Sequence, residues 1–302
     1  MPDKVSENTL IVITGPTGVG KTDVAIQLAK RYGTEIISAD SRQLYRDIPI
    51  GTAAPSASQL AEVQHHFIGT LALDEYYSAA QFETDALKSI SQIFQKRNHA
   101  VMCGGSMLYV DAVCKGIDDI PTISEQVRNE VFQKFEEHGI DALRQELKLL
   151  DPAYYNQVDL LNAKRVIHAV EICRQAGIPY SELRKNEVKH RPFYIKKIGL
   201  NLPREQLFDR INRRVLQMVD SGLIKEARRV YPYRHFNSLN TVGFKELFAW
   251  MDGKMDLDTA IARIQKNTRV YAKKQLTWFK RDDSIQWFSP NDIEEIIRYT
   301  DK

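Results

Sequence analysis

The run TLIVITGPTGVGKT, Thr9 to Thr22, constrains this chain more than any other stretch. Thr9 to Thr14 is short, apolar and rich in β-branched residues, and reads as a buried strand. It leads directly into G-x-x-x-x-G-K-[ST], matched by Gly15, Gly20, Lys21 and Thr22. Glycines there let backbone N–H groups turn inward toward phosphate oxygens. The helical run that follows, DVAIQLAKRY, adds the positive end of its dipole. Lys21 adds a full charge, and the hydroxyl of Thr22 can hold Mg²⁺. The candidate diphosphate or triphosphate cradle is thus Gly15, Pro16, Thr17, Gly18, Val19, Gly20, Lys21 and Thr22, with Lys21 as a catalytic group and Thr22 as the metal ligand. The motif does not say whose phosphates it grips; a nucleotide is the default.

The rest of the N-terminal part builds a sheet around this loop. EIISAD (Glu35 to Asp40) and AVMCGG (Ala100 to Gly105) read as further buried strands, and a helix is expected from about Ala79 to Arg97. Strands alternating with helices imply an α/β fold with a doubly wound parallel sheet, the P-loop architecture. Ligands collect at the carboxyl ends of such strands. Three polar clusters fall there: the loop at Gly15, Asp40–Ser41, and Gly104–Gly105–Ser106. From about Asp118 the pattern becomes amphipathic and helical, broken by Pro and Gly. FYIKKIGLNL (Phe193 to Leu202) returns to a strand, and helices are expected at Arg204 to Ser221, Val242 to Met251 and Leu257 to about Arg281, with IQWFS as a late edge strand. The expected organisation is a catalytic core of residues 1–118 and 193–302 carrying a helical insertion of residues 119–192.

Several classes are excluded. No apolar run is long enough to cross a bilayer, and the first ten residues lack the apolar stretch of a signal peptide, so a cytoplasmic protein is expected. Cys103, Cys114 and Cys173 are odd in number and form no C-x-x-C pair, which argues against a disulfide framework or zinc site. A net charge of +3 does not announce a nucleic-acid binder, so local patches must carry any such reading. No apolar strand ends in a Walker-B Asp–Glu pair, no N-K-x-D reads guanine, and no arginine-rich lid of a small nucleoside kinase occurs.

Six blocks occur in order: GPTGVGKT, SADSRQLYRDIPIGTAAPS, GGSMLY, MVDSGLIKEARRV, TVGFKEL and TRVYAKKQLTWFKRD. Together, from about Leu10 to Trp287, they resemble the tRNA dimethylallyltransferase family. The resemblance implies transfer of a dimethylallyl group from dimethylallyl diphosphate to N6 of adenosine 37, beside the anticodon, in tRNAs reading codons that begin with U. The phosphate loop would then grip a prenyl diphosphate rather than ATP. The leaving diphosphate needs its charge stabilised, which the loop N–H groups, Lys21 and Mg²⁺ on Thr22 can do. An aromatic amine loses a proton as it attacks, so a carboxylate near N6 is needed. Asp40 is the candidate base; its alternative is a partner for Mg²⁺ or Lys21. The resemblance also implies that the Ser106 hydroxyl, where the family usually has Thr, holds the departing diphosphate. Ser106 equally suits a helix N-cap. An arginine after the insertion is implied too, and of Arg210, Arg213 and Arg214, Arg213 is preferred.

The RNA partner has its own features. Between Arg263 and Arg281 there are seven Lys or Arg and no acid, with Tyr271 and Trp278 interleaved. Cations supply phosphate contacts and aromatics can stack on unpaired bases. Lys273, Lys274, Gln275, Trp278 and Lys280 are therefore tRNA candidates, the alternative being a solvated basic face with Trp278 in the core. The resemblance adds Arg128, Lys164 and Arg165 in the insertion, expected to meet the anticodon stem-loop. Asp40, Ser41, Arg42 and Gln43, with Ser106, would surround the flipped adenine. Gln43 can pair bidentately with an adenine edge; its alternative is a surface residue at a helix start. The chain departs from the family at Ala54, where Lys is common, and at Lys164 and His168, where Gln and Arg are usual. An enzyme taking free AMP, ADP or ATP shares this chemistry but needs neither the insertion nor the basic helix. A P-loop nucleotide kinase and a catalytically silent RNA binder are the other rivals. The chain is expected to act as a monomer, away from membranes.

Overall fold

The computed structural model describes residues 8–185 and 187–302. In chain order the elements are β1 (Thr9–Thr14), α1 (Lys21–Tyr32), β2 (Ile36–Ser38), α2 (Ala57–Glu62), β3 (His65–His66), α3 (Ala79–Phe94), β4 (His99–Cys103) and α4 (Met107–Lys115). They continue with α5 (Glu125–Leu150), α6 (Pro152–Tyr155), α7 (Ala163–Ala176), α8 (Tyr180–Leu183), β5 (Tyr194–Leu200) and α9 (Arg204–Asp220). The chain ends with α10 (Leu223–Val230), α11 (Phe244–Met251), α12 (Leu257–Phe279), β6 (Ile285–Phe288) and α13 (Ile293–Asp301). Two compact units result: one runs to Cys114 and resumes with His190–Lys302, and the other is Lys115–Lys189.

The first unit is a six-stranded sheet in the order β3-β2-β4-β1-β5-β6. Every pairing is parallel. All six residues of β1 are buried, as a central parallel strand requires when helices cover both faces. Successive side chains point to opposite faces. Leu10 and Val12 accordingly join a core with Phe82, Ile90, Phe244 and Ile264, while Ile11 and Ile13 join another with Val24, Leu28, Ile211 and Ile296. The sheet extends from β1 through β4 and β2 on one side and through β5 and β6 on the other. The carboxyl end of β1 is therefore the switch point of the sheet, where a doubly wound fold opens a crevice.

The expected strands, the helices flanking them and the edge position of β6 are present. β2 is shorter than expected, ending at Ser38 rather than Asp40. The reason is local: the Asp40 carboxylate accepts the Arg42 N–H at 3.0 Å and turns the chain out of the sheet. The sequence reading missed α2, β3, α10 and α13, each nine residues long or shorter.

The second unit is helical. α5 joins two helical segments across Gly139, at φ 72°. Val131, Leu143, Leu147, Val166, Ala169 and Val170 form its core with Tyr154. Asp151 is fully buried, yet its carboxylate accepts from the N–H groups of Tyr154 and Ser181 and from the Ser181 hydroxyl, so the buried charge is well solvated by donors. Arg128, Lys164 and Arg165 are exposed on this unit.

Candidate active site

The loop from Gly15 to Thr22 joins β1 to α1 at the switch point. Gly15 sits at φ 138°, and a Cβ there would lie 2.4 Å from the carbonyl oxygen of Leu200 on β5, so both backbone angle and space demand glycine. Val19 is fully buried and anchors the loop in the core. Gly20 caps α1 without a side chain, leaving the first N–H groups of that helix open to an anion. The Lys21 ammonium folds over the loop, donating to the carbonyls of Gly15 at 3.0 Å and Pro16 at 2.9 Å. Burial pulls its pKa down to about 8, with nearby Asp40 acting to hold the charge and Arg214 acting against it.

Two cavities meet at this loop. The larger, about 690 Å³, is lined by Lys21, Thr22, Ala54 and Gly104 with Arg210, Arg213 and Arg214. The smaller, about 370 Å³, is lined by Ser41, Arg42, Ser106 and Tyr271 with apolar Ile211, Val215, Met218, Val242 and Ile264. Thr17, Gly18, Asp40, Thr52, Ala53 and Arg214 line both. One chamber is thus cationic and the other has an apolar wall facing polar residues, with a carboxylate and a guanidinium on their common wall. Opposite charges at that wall suit a reaction in which an anion departs on one side and a proton is taken nearby.

The common wall is braced from several directions. Ser106 is buried, and its hydroxyl accepts the Ser41 N–H at 2.8 Å and donates to the Ser41 hydroxyl at 3.1 Å. The Glu226 carboxylate on α10 accepts the N–H groups of Ile50 at 2.9 Å and Gly51 at 2.7 Å, and burial pushes its pKa up. Gln43 donates from Nε2 to the carbonyls of Ala53 at 3.1 Å and Thr52 at 3.4 Å, while its Oε1 accepts the Ser38 hydroxyl at 3.2 Å. The Nε2 end of that amide serves the 52–53 turn, where Ala53 holds φ 46°, and the Oε1 end serves Ser38 of β2. Gln43 also lines the larger cavity. Arg42 likewise spends its guanidinium on the carbonyls of Asn237 and Ser238.

The structure distinguishes the three arginines. Arg213 lines the larger cavity but is exposed and paired with Asp209 one helical turn away. Arg214 instead turns inward, donating to the Thr17 hydroxyl at 3.4 Å and the Ala53 carbonyl at 3.3 Å, and burial lowers its pKa. Arg210 and Arg214 are four residues apart and share a helix face, whereas Arg213 is rotated away. That spacing was the available signal.

The family described as IPP transferase matches residues 43–282 of the chain. The chain belongs to the IPP transferase family. It is 55% identical over 292 residues to tRNA dimethylallyltransferase 2 of Parabacteroides distasonis, covering 97% of this chain and 98% of the relative. It is 54% identical over 299 residues to tRNA dimethylallyltransferase 1 of Phocaeicola vulgatus, covering 99% and 98%. Its fold matches the tRNA isopentenylpyrophosphate transferase of Bacillus halodurans with TM-score 0.70 at 37% identity, covering 97% of this chain and 96% of the other. A eukaryotic dimethylallyltransferase acting on tRNA matches with TM-score 0.75 at 27% identity, covering 90% and 70%.

In this IPP transferase the basic helix α12 is not uniformly a solvent-facing surface. Lys273, Lys274 and Lys280 are exposed, with the Lys273 ammonium 5.5 Å from the centre of the Phe208 ring. Two neighbours turn inward. Trp278 is half-buried against the core, donates its indole N–H to Asp111 at 2.8 Å and carries Arg281 over its ring. Gln275 is only 2% exposed and makes its bonds inward. The apolar wall of the smaller cavity was also missed. Ile211, Val215 and Met218 follow helical spacing on α9, a pattern indistinguishable in sequence from ordinary core. No group of three or more His, Cys, Asp or Glu able to hold a metal occurs among the described residues. Nor is any described helix long and apolar enough to cross a membrane.

Proposed function

We propose that this chain transfers the dimethylallyl group of dimethylallyl diphosphate to N6 of adenosine 37 in tRNAs that read codons beginning with U. The observation that carries the reading is Asp40, half-buried on the wall common to a cationic cavity and one with an apolar wall. The diphosphate lies in the larger cavity, against the loop N–H groups, Lys21 and Arg214. The five-carbon chain and the flipped adenine occupy the smaller one. N6 attacks the allylic carbon, the carbon–oxygen bond to diphosphate breaks, and the Asp40 carboxylate accepts the proton that N6 loses. Lys21 and Arg214 offset the charge that grows on the leaving oxygen. The Thr22 hydroxyl, in the wall of the larger cavity, suits Mg²⁺, which takes most ligands from water and substrate phosphates and would neutralise diphosphate charge when bound. Lys273, Lys274 and Lys280, with Arg128, Lys164 and Arg165 on the second unit, are the proposed RNA phosphate contacts.

The test uses labelled dimethylallyl diphosphate, Mg²⁺ and either unmodified tRNA bearing A36–A37–A38 or free AMP. Label is expected in the tRNA at position 37. Label in AMP alone would make the chain an adenylate isopentenyltransferase. In Asp40→Ala, transfer should fall roughly 10²–10⁴-fold, the usual contribution of a positioned base. Transfer within a few-fold of wild type would remove Asp40 from that role.

A further inference from the structure

Gln275 lies on α12 beside Lys273 and Lys274, two exposed cations, but its side chain runs the other way. Its Oε1 accepts the backbone N–H of Thr17 in the phosphate loop at 2.8 Å. Its Nε2 donates to the carbonyl of Gly105 at 2.8 Å, in the turn that follows β4. A Cβ on Gly105 would lie 2.3 Å from that Nε2, so the glycine leaves the amide the room it occupies. One amide thus ties together two anion-facing turns at the carboxyl ends of β1 and β4, which no backbone hydrogen bond between Thr17 and Gly105 joins.

The chemistry of the two partners fixes which way the amide must point. A peptide N–H requires an acceptor and a peptide carbonyl requires a donor, and a carboxamide offers one of each on two separate atoms. Thr17 is also held through its hydroxyl by Arg214, so the tip of the loop is gripped by backbone on one side and by side chain on the other. With the tip held, the remaining loop N–H groups keep a set direction before any anion arrives, and none of the binding energy is spent on ordering them.

We infer that Gln275 is a positioning residue for the diphosphate: it presets the phosphate loop against the Gly105 turn and makes no contact with RNA. The inference rests on the prenyl-transfer reading only for the identity of the anion. The same holding would serve any diphosphate, so binding of inorganic diphosphate tests it without the reaction. Gln275→Met keeps the length and volume and removes both bonds. Gln275→Glu keeps the acceptor for Thr17 but sets a carboxylate oxygen against the Gly105 carbonyl and adds charge near the anion.

The experiment measures Kd for inorganic diphosphate with Mg²⁺, Kd for unmodified tRNA, and KM and kcat for transfer, in full-length protein. In Gln275→Met the diphosphate Kd and the KM for dimethylallyl diphosphate should rise about tenfold, with tRNA affinity within twofold of wild type. Gln275→Glu should be worse for diphosphate and equally neutral for tRNA. Gly105→Ala reaches the same amide from the other side and serves if Gln275→Met does not fold. Combined with Gln275→Met it should weaken diphosphate little beyond either single change, since both remove one interaction. Weakened tRNA binding with unchanged diphosphate binding would make Gln275 an RNA contact and overturn the inference, and so would diphosphate binding unchanged in every variant. A wild-type protein that binds diphosphate through Gln275 but transfers no prenyl group would instead overturn the proposed reaction and leave the positioning role standing.

Discussion

The hydroxyl of Ser106 accepts the backbone N–H of Ser41 at 2.8 Å. Through this bond the turn after β4 holds the turn that carries Asp40. Ser106→Ala leaves the Ser41 N–H without that partner, which costs about 1–2 kcal/mol where water cannot replace it. Transfer should slow by about tenfold or more as Asp40 loses its support, with a lower melting temperature. Ser106→Thr keeps the hydroxyl and should remain within a few-fold of wild type. Steady-state rates with thermal melts of both variants check this.

Arg214 and Arg213 separate cleanly. Arg214 lines both cavities and reaches Thr17, whereas Arg213 lines the larger one alone and is exposed and paired with Asp209. Losing a hydrogen bond to a charged group costs about 1.5–3 kcal/mol, or roughly ten- to a hundredfold. Arg214→Ala should raise the KM for dimethylallyl diphosphate by that factor, while Arg213→Ala should change it less than threefold. The reverse order would return the role to Arg213.

Glu226 makes stability depend on pH in an uncommon direction for a carboxylate. Burial raises its pKa in the folded protein from the unfolded value of 4.5. Below that value the group is protonated in both states and costs nothing. As pH rises past it, the unfolded chain ionises first, so the folded state loses stability until the folded pKa is passed, and the cost stays in full above. The stability of wild type relative to Glu226→Gln should therefore decline as pH rises from about 4.5. Denaturant melts of both proteins across pH measure this difference. A flat or rising difference would contradict the burial argument.

Lys273 and Lys274 are exposed on α12 and are proposed to neutralise RNA phosphates. Changing both to Ala should weaken tRNA binding and make the slope of log K against log salt shallower by about 1.4, for two phosphates at ~0.7 each on single-stranded RNA. An unchanged slope would mean that the basic face of α12 is only solvated. Binding isotherms between low and moderate salt decide it.

The phosphate loop was legible because its requirements are local. A strand, glycines at fixed offsets, Lys21 and Thr22 follow one another within a few residues, and the backbone angle at Gly15 admits no other residue. The parallel sheet was legible from alternation of strand and helix, since apolar runs such as LIVI must be covered on both faces. Short elements escaped for the converse reason. β3 is two residues long and pairs with β2, and no two-residue run carries a period.

The residue types that can do the chemistry, and the order of the strands' carboxyl ends along the chain, were determined by the sequence alone. Which of those side chains face the crevice was decided only by tertiary structure. Lys273, Lys274 and Gln275 are adjacent in sequence, but a helix turns about 100° per residue. Two of them therefore meet solvent while the third meets Thr17 and Gly105. Arg213 and Arg214 differ in the same way, one exposed and paired with Asp209 and the other half-buried and turned toward Thr17 and Ala53. Helix rotation is set by how α9 and α12 pack on the sheet, and that packing is made by contacts between residues far apart in the chain, such as Ile211 and Ala272 with the buried face of β1.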